Sequence, residues 1–366
     1  MDTVEQVEQV EQVDEVEALG GRIFEAALGA ADLLSIYLGD RLGWYRSLTT
    51  DGACTPAELA SRTGTYERYA REWLEQQAVT GLLTVADAGD PADRRYSIPA
   101  ATAEVLTDES SLTYLAPIAR MFASSAIQMP ALLDAYRNGG GVGWEQLGPD
   151  ARESQADMNR PWYERQLPGA LAGVSSVHEA LSRPGARIAD VGSGGGWSSI
   201  ALARAYPEAT IDGIDVDAAS VDMARKNAAG AGVADRVSFT HADAAGLADA
   251  TYDAVFAFEC VHDMPRPVDV LAAVERALAP EGFVVVMDEA VAETFSAPGN
   301  DLERIMYGFS LLVCLPDGMS SPPSAGTGTV MRPDTLRRYA QDAGLTQFEI
   351  LPIEDFGFWR FYRLAR

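Results

Sequence analysis

Lysine is almost absent: Lys226 stands alone in 366 residues, and histidine and cysteine occur three times each. Basic residues number 28 against 54 acidic ones, a formal net charge of −26. So acidic a chain is a poor match for a polyanion, so neither nucleic acid nor an anionic membrane is an expected partner. Cys54, Cys260 and Cys314 lack the spacing of a disulfide framework or a metal site, which points to reduced thiols and no metal. No apolar run is long enough to span a bilayer, and the N-terminal stretch lacks a signal peptide's basic start and apolar middle. A cytoplasmic protein of two domains is the expectation.

What the sequence does contain is a strong α/β signal. Ile188-Ala-Asp-Val runs into Gly192-Ser-Gly194-Gly-Gly196, and a helical pattern follows from Ser198 to Tyr206. Strand, tight glycine loop and helix open a nucleotide-binding βαβ unit. A second strand, Thr210 to Ile214, ends in Asp215, where a carboxylate usually meets ribose hydroxyls. Further strands run over Val237–His241, Asp253–Phe258 and Gly282–Met287, followed by Asp243, by Glu259 with His262 and Asp263, and by Asp288 with Glu289. Acids thus gather at the carboxyl ends of the strands, where open α/β sheets bind ligands. No second mononucleotide half is evident.

This layout resembles the class I S-adenosylmethionine-dependent methyltransferases. The resemblance implies a Rossmann-like, seven-stranded domain over residues 184–366, closed by the strands at Phe348–Leu351 and Phe358–Tyr362, with S-adenosyl-L-methionine as cofactor. It implies that Asp190, Gly192 and Gly194 hold the methionine part, Asp215 with Val216 the ribose, and Asp243 with Ala244 the adenine, with Phe258 as a further cofactor neighbour.

The N-terminal third has a different grammar. Val4 to Glu17 repeats Val-Glu-Gln, and its acidity suggests a disordered lead-in over residues 1–20. A capped helix from Thr55, a helix over Tyr66–Gln77 and a hairpin of Leu82–Val85 with Arg95–Ile98 make a winged-helix pattern within 21–107. Glu67, Glu72 and Glu75 alternate with Arg68 and Arg71 on the second helix, leaving no clean basic face for DNA. The combination is similar to two-domain small-molecule O-methyltransferases, whose mostly helical winged-helix domain mediates homodimerisation. Residues 108–183 read as a helical connector covering the pocket, with Asn159 to Tyr163 at a helix start. Residues 290–333 read as a lid insertion.

Methyl transfer to a hydroxyl calls for a positioned base, and histidine suits that task. His178 lies in a helix before the first strand and His241 falls on the adenine side. His262, in Cys260-Val-His-Asp-Met264, matches the His-Asp-Trp pattern of plant O-methyltransferases with Met in place of Trp. The resemblance makes His262 the base and places the carboxylate that orients it after the fifth strand, where Asp288 and Glu289 stand and alignment favours Glu289, while Asp263 is expected to face the following helix start. Trp162, Tyr163, Met306 and Cys314 are candidate lining of the substrate pocket, although each also suits a plain core. The leading function is methyl transfer to a small metabolite. Two alternatives stand beside it: a methyltransferase fold that uses the cofactor structurally for other chemistry, and a winged-helix DNA-binding regulator.

Overall fold

The computed structural model describes residues 2–86, 89–247 and 251–366, with side chains from residue 14 onward. The chain divides into two compact units, Met1–Ala123 and Ser124–Arg366. The division falls within the Ala116–Ile127 helix, later than the boundary expected at residue 107. Among the described residues no helix is long and apolar enough to cross a membrane.

The first unit opens with a helix over Asp2–Arg41, which corrects the expected disordered lead-in. Glu, Ala and Leu make up 16 of its 40 residues and proline is absent, so helix propensity prevails over net acidity. The Pro56–Thr63 helix begins in a reciprocal capping box: Glu58 N–H donates to Thr55 Oγ1 at 3.3 Å, and Thr55 N–H to Glu58 Oε2 at 2.9 Å. The Glu67–Val79 helix follows, then strands β1 (Thr84–Ala86) and β2 (Arg95–Ser97), paired antiparallel. Trp44, Tyr45, Leu59, Trp73, Leu74 and Tyr96 form the core beneath them. This is the winged-helix arrangement that the sequence suggests.

The second unit is built on strands β3 (Arg187–Val191), β4 (Thr210–Asp215), β5 (Val237–His241), β6 (Tyr252–Phe258), β7 (Leu278–Glu289), β8 (Gln347–Ile350) and β9 (Trp359–Ala365). Their order across the sheet is β5-β4-β3-β6-β7-β9-β8, with β3 to β7 parallel and β9 antiparallel to both its neighbours. Apolar residues fill both faces of the sheet, as a parallel sheet covered by helices requires. The chain winds outward from β3 through β4 to β5 and returns to β6 on the other side. That reversal opens a crevice at the carboxyl ends of β3 and β6, the usual place for a ligand.

Two segments stand over that end. The Trp144–Arg165 helix bends at Gly148 (φ 81°) and contains Pro161. Asn159 to Tyr163 therefore lies in its last turns and not at a helix start. Burial of Ala156, Asn159, Pro161 and Tyr163 keeps the helix intact despite the donor lost at proline. The insertion after β7 carries a helix over Asp301–Phe309, a π-turn over Ser310–Cys314 and a helix over Leu315–Met319. Val142 N–H donates to Pro316 O at 3.0 Å and Gly328 N–H to His262 O at 3.1 Å, so the insertion is fastened at its middle and near its end.

Candidate active site

The glycine loop after β3 needs its glycines for two reasons. Gly192 has φ 69°, and a Cβ there would stand 2.6 Å from Cys260 Cβ; Gly194, at φ 50°, faces open space. Asp190, at the end of β3, is fully buried, and its Oδ2 accepts from the hydroxyls of Ser198 and Ser199 at 2.6 Å each. Burial raises its pKa to about 6 against the pull of those hydroxyls. Asp190 Oδ1, Ser193 Oγ and Asn159 Oδ1 are buried without a hydrogen-bond partner. Unsatisfied buried atoms are rare enough to call for a ligand.

Asp215 closes β4 and accepts from Gly194 N–H and Asp217 N–H, both at 2.8 Å. One carboxylate thus ties the glycine loop to the start of the next helix, and burial raises its pKa. Asp217 caps that helix through Ser220 N–H and pairs with Arg152 at 2.5 Å. Val216 is exposed, and its carbonyl lies 3.0 Å from His241 Nε2. Asp243 accepts from Ala245 N–H at 2.9 Å and from Arg266 at 3.0 Å, and Ala244 is buried beside it. Phe258 stacks on Phe256 and meets Tyr163 within the core. Trp162 packs against Phe356 and Trp359.

A second cluster gathers after β6 and β7. His262 is 2% exposed. Its Nδ1 lies 2.9 and 3.0 Å from the two oxygens of Asp288. Glu289 Oε2 lies 3.4 Å from the same nitrogen and makes no hydrogen bond. The hydrogen-bonded partner is therefore Asp288, not the expected Glu289. Nε2 lies 3.2 Å from Asp263 Oδ1, near enough for charge attraction but without hydrogen-bond alignment. Asp263 thus turns to the imidazole, a second correction. Burial alone would lower the His262 pKa; Asp288, Glu289 and Asp263 reverse that and hold it well above the ordinary value. Burial and the neighbouring Asp288 keep the Glu289 carboxyl well above its usual range. The ligand atoms of His262, Asp288 and Glu289 all lie within 4.8 Å of one another, a spacing that proton sharing explains. Cys314 neighbours His262, and burial pushes its thiol up to about 12, the state of an inert packing thiol. Met306 is buried in the Asp301–Phe309 helix.

Two further acids, the strand-end Glu259 and Asp317 of the insertion, have partners that the sequence does not reveal. Glu259, the first residue after β6, has φ 50° and accepts from Trp359, Asn159 and Gln155. Asp317 of the insertion accepts Trp144 N–H at 2.9 Å, and burial with Asp263 nearby raises it to about 7. The left-handed backbone at Glu259 leaves no trace in the sequence. Asp317 lies far from the motif in the chain.

Residues 188–282 match the model of a methyltransferase domain, and residues 30–108 that of an Rv2258c-like winged HTH domain. The chain carries a methyltransferase domain. Curated relatives include the 27-O-demethylrifamycin SV methyltransferase of Amycolatopsis mediterranei, 34% identical over 38% of this chain and 50% of the relative. Methyltransferase GfsG of Streptomyces halstedii is 36% identical over 35% of this chain and 48% of the relative. The chain thus spans about half the length of these relatives. Among solved structures, the mitomycin 7-O-methyltransferase MmcR is similar at TM-score 0.70 and 22% identity, covering 95% of this chain and 98% of its own. Human N-acetylserotonin methyltransferase, solved with S-adenosylmethionine, is similar at TM-score 0.70 and 16% identity, with 94% and 96% covered. The methyltransferase domain and the winged-helix region therefore share the fold of these two-domain proteins.

Proposed function

We propose that the chain transfers a methyl group from S-adenosylmethionine to a hydroxyl of a small metabolite, with His262 as general base. The observation that carries this reading is the buried His262–Asp288 pair, at the carboxyl ends of β6, which adjoins β3 and its glycine loop, and of β7. The unsatisfied Asp190 Oδ1 and Ser193 Oγ suit the polar methionine end, Asp215 and Val216 the ribose, and Asp243 and Ala244 the adenine. The cofactor supplies a methyl group already activated by its sulfonium, so alignment in a dry site provides much of the rate.

The protein's own part is to hold the acceptor and take its proton. Asp288 on Nδ1 fixes the tautomer in which Nε2, on the Asp263 side of the ring, is the proton-accepting nitrogen, and it stabilises the imidazolium formed there. Because the His262 pKa is raised, its neutral, proton-accepting form grows as pH climbs above neutrality. Incubation with S-adenosylmethionine and a panel of hydroxylated metabolites, read by product mass, tests the reading. A gain of one methyl group supports it. A changed product without that gain supports structural use of the cofactor instead.

The winged-helix unit is assigned to self-association. Val16, Leu19, Ile23, Phe24 and Leu28 lie exposed on the Asp2–Arg41 helix, with Ile23 65% and Phe24 64% accessible. An apolar stripe of this kind calls for a covering surface, and a second copy supplies one without the basic face that DNA requires. Light scattering should give a dimer that Ile23→Asp with Phe24→Asp converts to monomer; a monomeric parent protein would defeat the assignment.

A further inference from the structure

Glu259 is the sole non-glycine residue with positive φ among the described residues. Side chains resist that backbone region, so surrounding contacts must hold it there. Three do: Trp359 Nε1 donates to Oε1 at 2.5 Å, while Asn159 Nδ2 and Gln155 Nε2, the latter at 3.4 Å, donate to Oε2. The donors come from β9 and the Trp144–Arg165 helix, about 100 residues away in sequence. All three are neutral, and among the described residues no arginine or lysine forms an ion pair with this carboxylate. Such a cradle orients an anion without cancelling its charge.

The position lies between the two halves of the site. Its donor Asn159 carries one of the unpartnered oxygens, the next residue, Cys260, donates its thiol to Val191 O at 3.1 Å and packs against Gly192, and His262 stands three residues on. The carboxylate is thus within electrostatic range of both the methionine-end cradle and the base. A buried carboxyl held only by neutral donors gains from a cation beside it, which favours its charged form. The cofactor's sulfur is cationic before transfer and neutral afterwards.

We propose that Glu259 is a charge-selective positioning residue, by which the site prefers the sulfonium cofactor to the neutral thioether that methyl transfer leaves behind. The inference rests on the S-adenosylmethionine reading above. It gives the strained carboxylate a task beyond fastening β6 to β9 and the helix, since both its oxygens accept from neutral donors and no cation balances them.

The test is calorimetric titration of the full chain with S-adenosylmethionine and, separately, S-adenosylhomocysteine. Glu259→Gln should weaken binding of the sulfonium about tenfold and leave thioether binding within about twofold. Glu259→Asp should keep the wild-type ratio. A parallel fall for both ligands, or no change in the ratio, would overturn the proposal and leave Glu259 a fastener. Should the glutamine variant fail to fold, an analogue with an amine in place of the sulfonium serves on the wild type. Tighter binding of its cationic form than of the thioether supports charge selection, and equal binding overturns it. If the wild type binds none of these ligands, the cofactor reading itself falls and takes this inference with it.

Discussion

Two groups of buried acids meet at the carboxyl end of the sheet, and they are stabilised in different ways. On the β3–β4 side, Asp190 and Asp215 accept from serine hydroxyls and backbone N–H groups at 2.6–2.8 Å. Their donors lie 2 to 21 residues away in the chain. On the β6–β7 side, Asp263, Asp288 and Glu289 surround one imidazole, and the partners of nearby Glu259 are 100 or more residues distant in sequence. The first side is a local cradle of dipoles, suited to holding a ligand in a fixed pose. The second is a knot of coupled charges, suited to moving a proton. Substitutions should therefore split cleanly, with binding lost on one side and turnover on the other.

The largest effect is expected at the centre of the charged knot. His262→Ala should lower turnover by ~10²–10⁴-fold, with cofactor affinity within about twofold. Single-turnover rates beside calorimetric titration measure both. If affinity collapses instead, His262 belongs to the cofactor wall and the contrast between the two sides fails.

Next comes the choice of carboxylate beside the imidazole. Asp288→Asn should cut turnover by about 10²-fold, because it removes the acceptor that fixes the Nδ1 proton. It should also move the alkaline limb of the rate to lower pH, since Asp288 is the largest influence raising the His262 pKa. Glu289→Gln should stay within about threefold, because Glu289 Oε2 makes no hydrogen bond to the imidazole. A pH–rate profile in which the Glu289 variant shifts further than the Asp288 variant would reverse the two roles.

On the cradle side, Asp215→Ala should weaken cofactor binding roughly 30-fold, from a charge-assisted bond of ~2 kcal/mol, and alter the saturated rate little. Titration and saturation kinetics read the two separately. Unchanged affinity in a folded variant would remove Asp215 from the ribose assignment.

The same split decides what was legible in the sequence. Strand period, glycine loop and strand-end acids are local patterns, so β3 to β9 and the positions of Asp190, Asp215 and Asp243 could be read from the chain. Asp288 and Glu289 are neighbours at the end of one strand and both come within 3.4 Å of the same ring nitrogen, so motif spacing does not tell which of them bonds it. Asp317 and the donors of Glu259 arrive through tertiary packing from the insertion, from β9 and from the Trp144–Arg165 helix. The Asp2–Arg41 helix was missed because composition was weighed as acidity when helix propensity mattered more.

The smallest expected effect sharpens the comparison most directly, because it asks what the charged knot costs the fold. Burial raises the Glu259 carboxyl to about 7, despite the Trp359 hydrogen bond and the His262 charge that lower it. An unfolded glutamate titrates near ~4.3. Between those values the folded state keeps a proton that the unfolded chain has released, so stability falls as pH rises through the window and the loss is complete above it. Glutamine does not titrate. Its carbonyl can accept from Trp359 Nε1–H, and its amide can donate to Asn159 Oδ1, which has no partner. Glu259→Gln should therefore melt roughly 2–4 °C above wild type at about pH 8, and the gap should shrink near pH 5. Asp190 and Asp317 are also raised, to about 6 and about 7, so the informative quantity is the difference between variant and wild type at each pH. A variant less stable than wild type at high pH would mean that the carboxylate's three hydrogen bonds outweigh its burial. Glu259 would then be a stabilising element like the acids of the β3–β4 side, and the knot would carry no stability cost at that position.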